Sequence, residues 1–297
     1  MDICELEKII GNTPVKQLGN TDIYVKLEQY NPAGSIKDRA ALFMIEGAEK
    51  NGELKKGGLI IEPTSGNTGI GIAYVCKMLG YKAVIVMPDS MSVERINIIK
   101  SYGAEVVLTP GALGIKGSVD KAEEINKKTE GSIIAGQFYN PDNKLAHIKT
   151  TAPEIDGYFK GTLGCVIAGI GTGGTVSGIG EYFKKNEPTV KIFGVEPASS
   201  PLLTKGFAGS HKIQGIGANF VPTLLNKSVI DGYYDITDGE AFDGVKELYK
   251  LYGLKLGISS GAAYSAAKKY SLKNKGQKVL FISPDGEDRY LSMNLYE

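Results

Sequence analysis

Lys37 stands in the segment Asn31-Pro32-Ala33-Gly34-Ser35-Ile36-Lys37-Asp38-Arg39. Asn-Pro-Ala-Gly is a turn signal, and Ser35 is placed to cap a helix running on to Lys50. Lys37 then falls in the first turn, where the helix dipole disfavours a cation. On its own such a lysine reads as a surface residue paired with Asp38. A positive site also has one chemical use: it depresses an amine's pKa, which suits Schiff-base chemistry. Two glycine-rich loops supply possible anion sites. Pro63-Thr64-Ser65-Gly66-Asn67-Thr68-Gly69 follows a strand and opens a helix. Its backbone N–H groups and hydroxyls suit a carboxylate. Gly169-Ile170-Gly171-Thr172-Gly173-Gly174-Thr175 does the same later in the chain, and its glycines allow the close backbone approach that a phosphate needs. Such junctions also serve the tight packing of helix on strand. Gly169, Gly171 and Gly174 further match the dinucleotide pattern G-x-G-x-x-G, with Glu196 where a ribose-binding acid belongs. A nicotinamide dehydrogenase is therefore a rival reading of that loop.

The elements that must position these residues are short apolar runs, each closed by a turn signal. They are Leu59–Ile61, Ala83–Met87, Glu105–Leu108, Ile133–Ala135, Cys165–Ile170, Lys191–Val195 and Lys278–Ile282. Most are continuous, as in strands buried on both faces of a parallel sheet. Helical patterns lie between them at Asn67–Leu79, Ser92–Tyr102, Val119–Lys128, Thr175–Lys185, Gly239–Tyr252 and Ala262–Lys273. Ser92 and Ser118 are placed to cap two of these. This alternation predicts an α/β fold with two lobes, each built on a mainly parallel twisted sheet flanked by helices. A polar stretch, Tyr139 to Lys144, suggests the division.

Composition excludes several function classes. The 297 residues suffice for one large or two modest domains, and the net charge of +1 argues against a nucleic-acid partner. No apolar stretch approaches the ~18 residues of a membrane span, and the N-terminus lacks a signal-peptide pattern. Cys4, Cys76 and Cys165 are few and scattered, which suits a reducing cytoplasmic compartment. With only His147 and His211 present, no His-rich metal site is expected and an acid–base histidine is improbable.

NPAGSIKDR, PTSGNTG, GIGTGGT and GISSGAA, in this order and spacing, resemble the cysteine synthase (O-acetylserine sulfhydrylase) family of fold-type II PLP enzymes, close to the cystathionine β-synthases. The segments MPDSMSVERINIIKSYGAEVVLTPG, QFYNPDNKLAHIKTTAPEI, IQGIGANFVP and PDGEDRYLS extend the resemblance over almost the whole chain. It implies a tryptophan synthase β-like fold. A small mobile domain would span residues 31–145, and a large domain residues 1–30 plus 146–297. It implies pyridoxal 5'-phosphate (PLP) as cofactor, bound to Lys37, which also moves the substrate's α-proton. Asn67 would meet the cofactor's 3′-oxygen, and Gly171, Thr172, Gly173, Gly174 and Thr175 its phosphate. Ser259, the first serine of GISSGAA, would meet the pyridine nitrogen. A serine there favours β-elimination and replacement over transamination, because it leaves that nitrogen neutral. Thr64, Ser65, Thr68 and Gln137 would grip the substrate carboxylate, and closure of the small lobe would exclude water.

The implied reaction forms L-cysteine from O-acetyl-L-serine and sulfide. The alternative takes cysteine as donor and releases hydrogen sulfide, with lanthionine, serine or cystathionine as product. Asn219, in GIGANF, stands where cysteine synthases commonly carry glycine and cystathionine β-synthases tend to carry an acid. It bears on the second substrate, or is drift at a loop position. The family also implies a homodimer and a possible serine acetyltransferase partner. Neither a regulatory C-terminal domain nor an N-terminal haem-binding extension is expected.

Overall fold

The computed structural model describes residues 1–296. In chain order its strands are β1 (Val15–Gln17), β2 (Ile23–Leu27), β3 (Leu59–Pro63), β4 (Lys82–Pro88), β5 (Glu105–Thr109), β6 (Ile133–Ile134), β7 (Leu163–Gly169), β8 (Lys191–Pro197), β9 (Gly232–Ile236) and β10 (Lys278–Ser283). Its α-helices are α1 (Ile3–Ile9), α2 (Lys37–Lys50), α3 (Asn67–Leu79), α4 (Val93–Ser101), α5 (Gly114–Lys128), α6 (Pro141–Ala146), α7 (Ala152–Phe159), α8 (Gly174–Asn186), α9 (Leu202–Lys205), α10 (Asp238–Tyr252) and α11 (Ile258–Lys273). They fall into two compact units, Met1–Gly11 with Asn31–Asn143, and Asn12–Tyr30 with Lys144–Glu297.

The first unit holds a four-stranded sheet of order β5-β4-β3-β6, parallel throughout. Residues alternate across it. Ile60, Ile85 and Met87 join a core with α2 and α3 through Leu42, Ile45, Ile70 and Val75. Ile61, Val84 and Val86 face the other way, onto Ala122 of α5. Both faces are thus buried, as the continuous apolar runs predict. Leu6 and Ile10 also enter the first core. Residues 1–11 therefore pack with this unit, whereas the sequence reading gave them to the large domain. Their helix starts on an Asp2/Glu5 capping box, a short signal that no strand–helix pattern announces.

The second unit holds a six-stranded sheet, β1-β2-β10-β7-β8-β9, parallel apart from the β1–β2 pair. Val25, Ile167, Val195, Val279 and Phe281 face α10 and α11, meeting Val245, Leu248, Ala263 and Tyr264. Tyr24 and Phe159 pack edge-on at 5.0 Å between ring centres. The mainly parallel two-unit α/β architecture agrees with the sequence reading, which nevertheless missed β1, β2 and β9. Lys26 explains the second omission. It is buried at mid-strand, with Nζ donating to Thr13 O and Glu154 Oε2, each at 2.6 Å. A charge in an apolar run hides the strand from pattern reading. Glu154 lies more than 120 residues away.

Two helix starts differ from expectation. The fifth helix begins at Gly114, not after Ser118, which is buried inside it with Oγ 2.9 Å from Thr109 Oγ1. The last begins at Ile258, so Ser259 lies in its first turn. Ser92 does cap α4, accepting from Arg95 N at 3.5 Å. The stretch read as a polar break turns helical at Pro141 and continues through one π-helical turn, His147–Thr151, into α7. Among the described residues, no helix is long and apolar enough to cross a membrane.

Candidate functional site

Lys37 is the first residue of α2. The turn before it closes with Gly34 N donating to Asn31 O at 2.8 Å, and Gly34 takes φ +84°, a conformation open to glycine. Ser35 does not cap from the N-cap position, which Ile36 occupies. Its Oγ instead accepts from Lys37 N at 3.2 Å, and buried Asp38 accepts from Ala33 N at 2.6 Å. The lysine's start is thereby locked from both sides. α3 crosses it closely, since a Cβ on Gly71 would lie 2.9 Å from Lys37 O and 3.3 Å from Ala41 Cβ. Burial depresses the Lys37 amine to about 8, and the Glu62 carboxylate opposes that shift.

The Thr64–Thr68 loop joins β3 to α3. Thr64 is anchored to the sheet, N donating to Val86 O at 2.9 Å, and its Oγ1 accepts from Gly66 N at 3.2 Å. Gly66 is the N-cap of α3 and provides no side-chain cap. The positive helix end is left to the loop and to whatever it binds. Ser65 is partly exposed, and its carbonyl accepts from Arg95 Nη1 at 3.4 Å. Asn67 and Thr68 form the first turn of the helix. Thr68 Oγ1 donates to Gln137 Oε1 at 2.5 Å. The structure thus brings Gln137, 69 residues away, onto the loop that the sequence singled out.

One group in this unit was not foreseen. Glu62 is buried at 1% exposure on β3. Its oxygens accept from Gly136 N at 2.8 Å and Gln137 N at 3.4 Å. Burial pushes its carboxyl up to about 7, opposed by these N–H groups and by Lys37. In sequence it is one acid in an apolar strand, with nothing to say which partners reach it.

In the second unit, β7 leads into the Gly169–Thr175 loop and α8. Gly173 is the N-cap at φ +83°. A Cβ on Gly171 would lie 2.4 Å from Gly215 O, and one on Gly173 would lie 3.0 Å from Leu225 Cα. Backbone therefore closes on backbone, and a side chain at either position would force it to shift. Thr172 Oγ1 accepts from Gly174 N at 3.4 Å. Thr175 Oγ1 lies 3.2 Å from His147 Nε2, whose Nδ1 is 2.9 Å from Thr151 Oγ1. His147, which the sequence reading set aside, steadies that threonine from 28 residues away. The rival dinucleotide reading fails on Glu196. Its carboxylate accepts from Leu203 N at 2.9 Å, Thr204 N at 3.0 Å and Thr204 Oγ1 at 2.6 Å. It caps α9.

Ser259 is buried at 3% exposure, yet its hydroxyl makes no hydrogen bond within the described residues. Ser260 beside it is satisfied by Ser283 Oγ at 2.9 Å. Asn219 is exposed in the loop after α9. That loop is tied to the glycine segment by Gly217 N donating to Ile170 O at 2.9 Å, and His211 Nε2 donates to Gly217 O at 3.0 Å. Among the described residues no group of His, Cys, Asp or Glu could hold a metal ion.

Comparison with known proteins gives the family. The family model described as pyridoxal-phosphate dependent enzyme matches residues 6–285. A Staphylococcus aureus protein named cysteine synthase is 48% identical, covering 98% of this chain and 96% of its own. A Campylobacter jejuni cysteine synthase B is also 48% identical, with 98% of each chain covered. The crystal structure of a hydrogen sulfide-producing enzyme from Fusobacterium nucleatum superposes with TM-score 0.92 at 46% identity, covering 96% of this chain and 98% of its own. A lysine opening a helix, a glycine cradle that admits no Cβ and relatives at this identity lead to one conclusion: the chain belongs to the pyridoxal-phosphate dependent enzymes, within their cysteine synthase group.

Proposed function

We propose that this enzyme makes L-cysteine by replacing the β-acetoxy group of O-acetyl-L-serine with sulfide, with PLP held on Lys37. The carrying observation is Lys37, an amine depressed to about 8, in the same unit as the Thr68–Gln137 pair. The residues present fit the cofactor. The Gly171–Thr175 loop offers an N-terminal helix end and a surface from which side chains are excluded, as a phosphate requires. Ser259, a buried residue in the first turn of α11, offers a hydroxyl fit to face the ring nitrogen. Asn67, at the start of α3, would take the 3′-oxygen.

When bound, PLP withdraws electrons from the substrate α-carbon, acidifying its proton and loosening the β-substituent. The protein's own residues do the rest. Thr64, Ser65 and Thr68 bind the substrate carboxylate at the positive end of α3, and Gln137, fixed by Thr68, completes the grip. Lys37 Nζ would hold the cofactor and move the substrate α-proton. An amine near 8 has a substantial neutral fraction at neutral pH, so it can act as a base there.

The test is borohydride reduction with mapping of the labelled residue, followed by a donor comparison. A label away from Lys37 would sink the assignment. A second reading is favoured by the similarity to a hydrogen sulfide-producing enzyme. In that reading this chain takes cysteine as donor and releases sulfide, and Asn219 contacts the second substrate. Turnover with cysteine equal to or above that with O-acetylserine selects it. We further infer a cytoplasmic homodimer able to take the C-terminal tail of a serine acetyltransferase. Sedimentation with and without that peptide checks both.

A further inference from the structure

Glu62 is a buried carboxylate whose charge acts on Lys37, and the chemistry above leaves it without a task. It lies on β3, flanked by β4 and β6. Its two oxygens reach across to consecutive peptide groups, Gly136 N and Gln137 N. Those peptides carry Gln137, whose carbonyl accepts from Asn143 Nδ2 at 2.7 Å and whose Oε1 accepts from Thr68. The segment is conformationally committed. Gly136 takes φ +75°, and a Cβ there would lie 2.4 Å from the Tyr139 ring. Of the three anchors on Gln137, only Glu62 carries a charge. The titratable groups that face it are Lys37 from α2 and Tyr139 from the same loop.

We propose that Glu62 is a positioning residue for this half-site: its carboxylate fixes the Gly136–Gln137 peptides, and through them the Gln137 side chain, while its charge holds the Lys37 amine in register with that grip. The proposal rests on the roles of Lys37 and Gln137 given above. Its physical basis is twofold. Two N–H donors aimed at one buried carboxylate form a charge-assisted pair. The same anion favours the charged form of the lysine, its attraction opposing the shift that burial imposes on each group. Loss of the anchor loosens Gln137, while loss of the charge frees the amine to give up its proton earlier.

Two substitutions separate these effects. Glu62→Gln removes the charge and turns an amide N–H₂ toward a peptide N–H. In the apo protein, the pH at which Lys37 becomes reactive toward reductive methylation, read by mass mapping, falls by about one unit. In the PLP-loaded protein, KM for the amino-acid donor rises about tenfold, with kcat changed less, as loss of carboxylate binding requires. Glu62→Asp keeps the charge and shortens the reach. Lys37 then titrates as in wild type while KM still rises. Borohydride labelling of Lys37 in wild type and both variants checks the underlying reading separately. If Lys37 is labelled but Glu62→Gln leaves its titration unchanged, the proposal is overturned. Wild-type KM in Glu62→Asp overturns the anchoring half.

Discussion

Replacing Gly171 with alanine tests whether the glycine loop is a ligand cradle or merely tight packing. The added Cβ would sit 2.4 Å from Gly215 O. To reach even the closest contact real side chains show, that carbonyl must retreat by at least about 0.6 Å. It has little freedom. Gly215 is at φ +89°, and two residues on, Gly217 N is bonded to Ile170 O at 2.9 Å. Overpacking of this kind costs about 1–3 kcal/mol. In the apo protein the loop can relax, so stability falls by only part of that amount. PLP binding demands the native loop and recovers the remainder as lost affinity. At ~1.4 kcal/mol per tenfold, PLP binding weakens by at most about 5- to 150-fold, the limit in which the whole strain falls on binding. Fluorescence titration of the apo protein with PLP measures this, and urea unfolding of the same sample measures stability. Gly157→Ala is the control. It adds a Cβ with nothing within 4 Å inside α7, and it stabilises by up to ~1 kcal/mol without touching PLP affinity. If Gly171→Ala binds PLP as tightly as wild type, the cradle argument is wrong.

Thr68→Val removes the 2.5 Å bond to Gln137 Oε1. KM for the amino-acid donor rises about tenfold while PLP affinity is unchanged, as steady-state kinetics and PLP titration will show. Ser118→Ala leaves buried Thr109 Oγ1 without its 2.9 Å partner. Urea unfolding detects a loss of about 1–3 kcal/mol. The pH dependence of apo-protein stability has two opposing parts. Lys37 is lowered to about 8 from 10.5, so between those values the unfolded chain binds more protons and stability rises with pH. Glu62 is raised to about 7 from 4.5, so between those values the native state binds more protons and stability falls as pH rises. The difference between wild-type and Lys37→Met unfolding curves isolates the first. A difference that shrinks as pH falls from 10 to 8 refutes its sign.

How much of this was legible in the chain depends on sequence distance. Strands of the type Lys82–Pro88, buried on both faces, announce themselves as unbroken apolar runs. Loops such as Thr64–Thr68 declare helix starts through glycines and hydroxyls. The turn before Lys37 is likewise written in four adjacent residues. β9 stayed hidden because it is an edge strand with Ile236 as its one buried residue. Glu196 looked like a ribose ligand because its spacing was right, and only the fold showed its oxygens committed to α9.

The amino-acid sequence by itself determined the chemistry on offer: an amine at a helix start and two loops fit for anions. These are local properties, set by backbone conformation within a few residues. The tertiary structure alone decided how those groups are tuned. Burial brings Lys37 into the range of a working base. Glu62 reaches peptides 74 and 75 residues onward, and Thr68 meets a glutamine 69 residues away. Desolvation and long-range hydrogen bonds depend on what the fold places alongside a residue, and no local pattern encodes that.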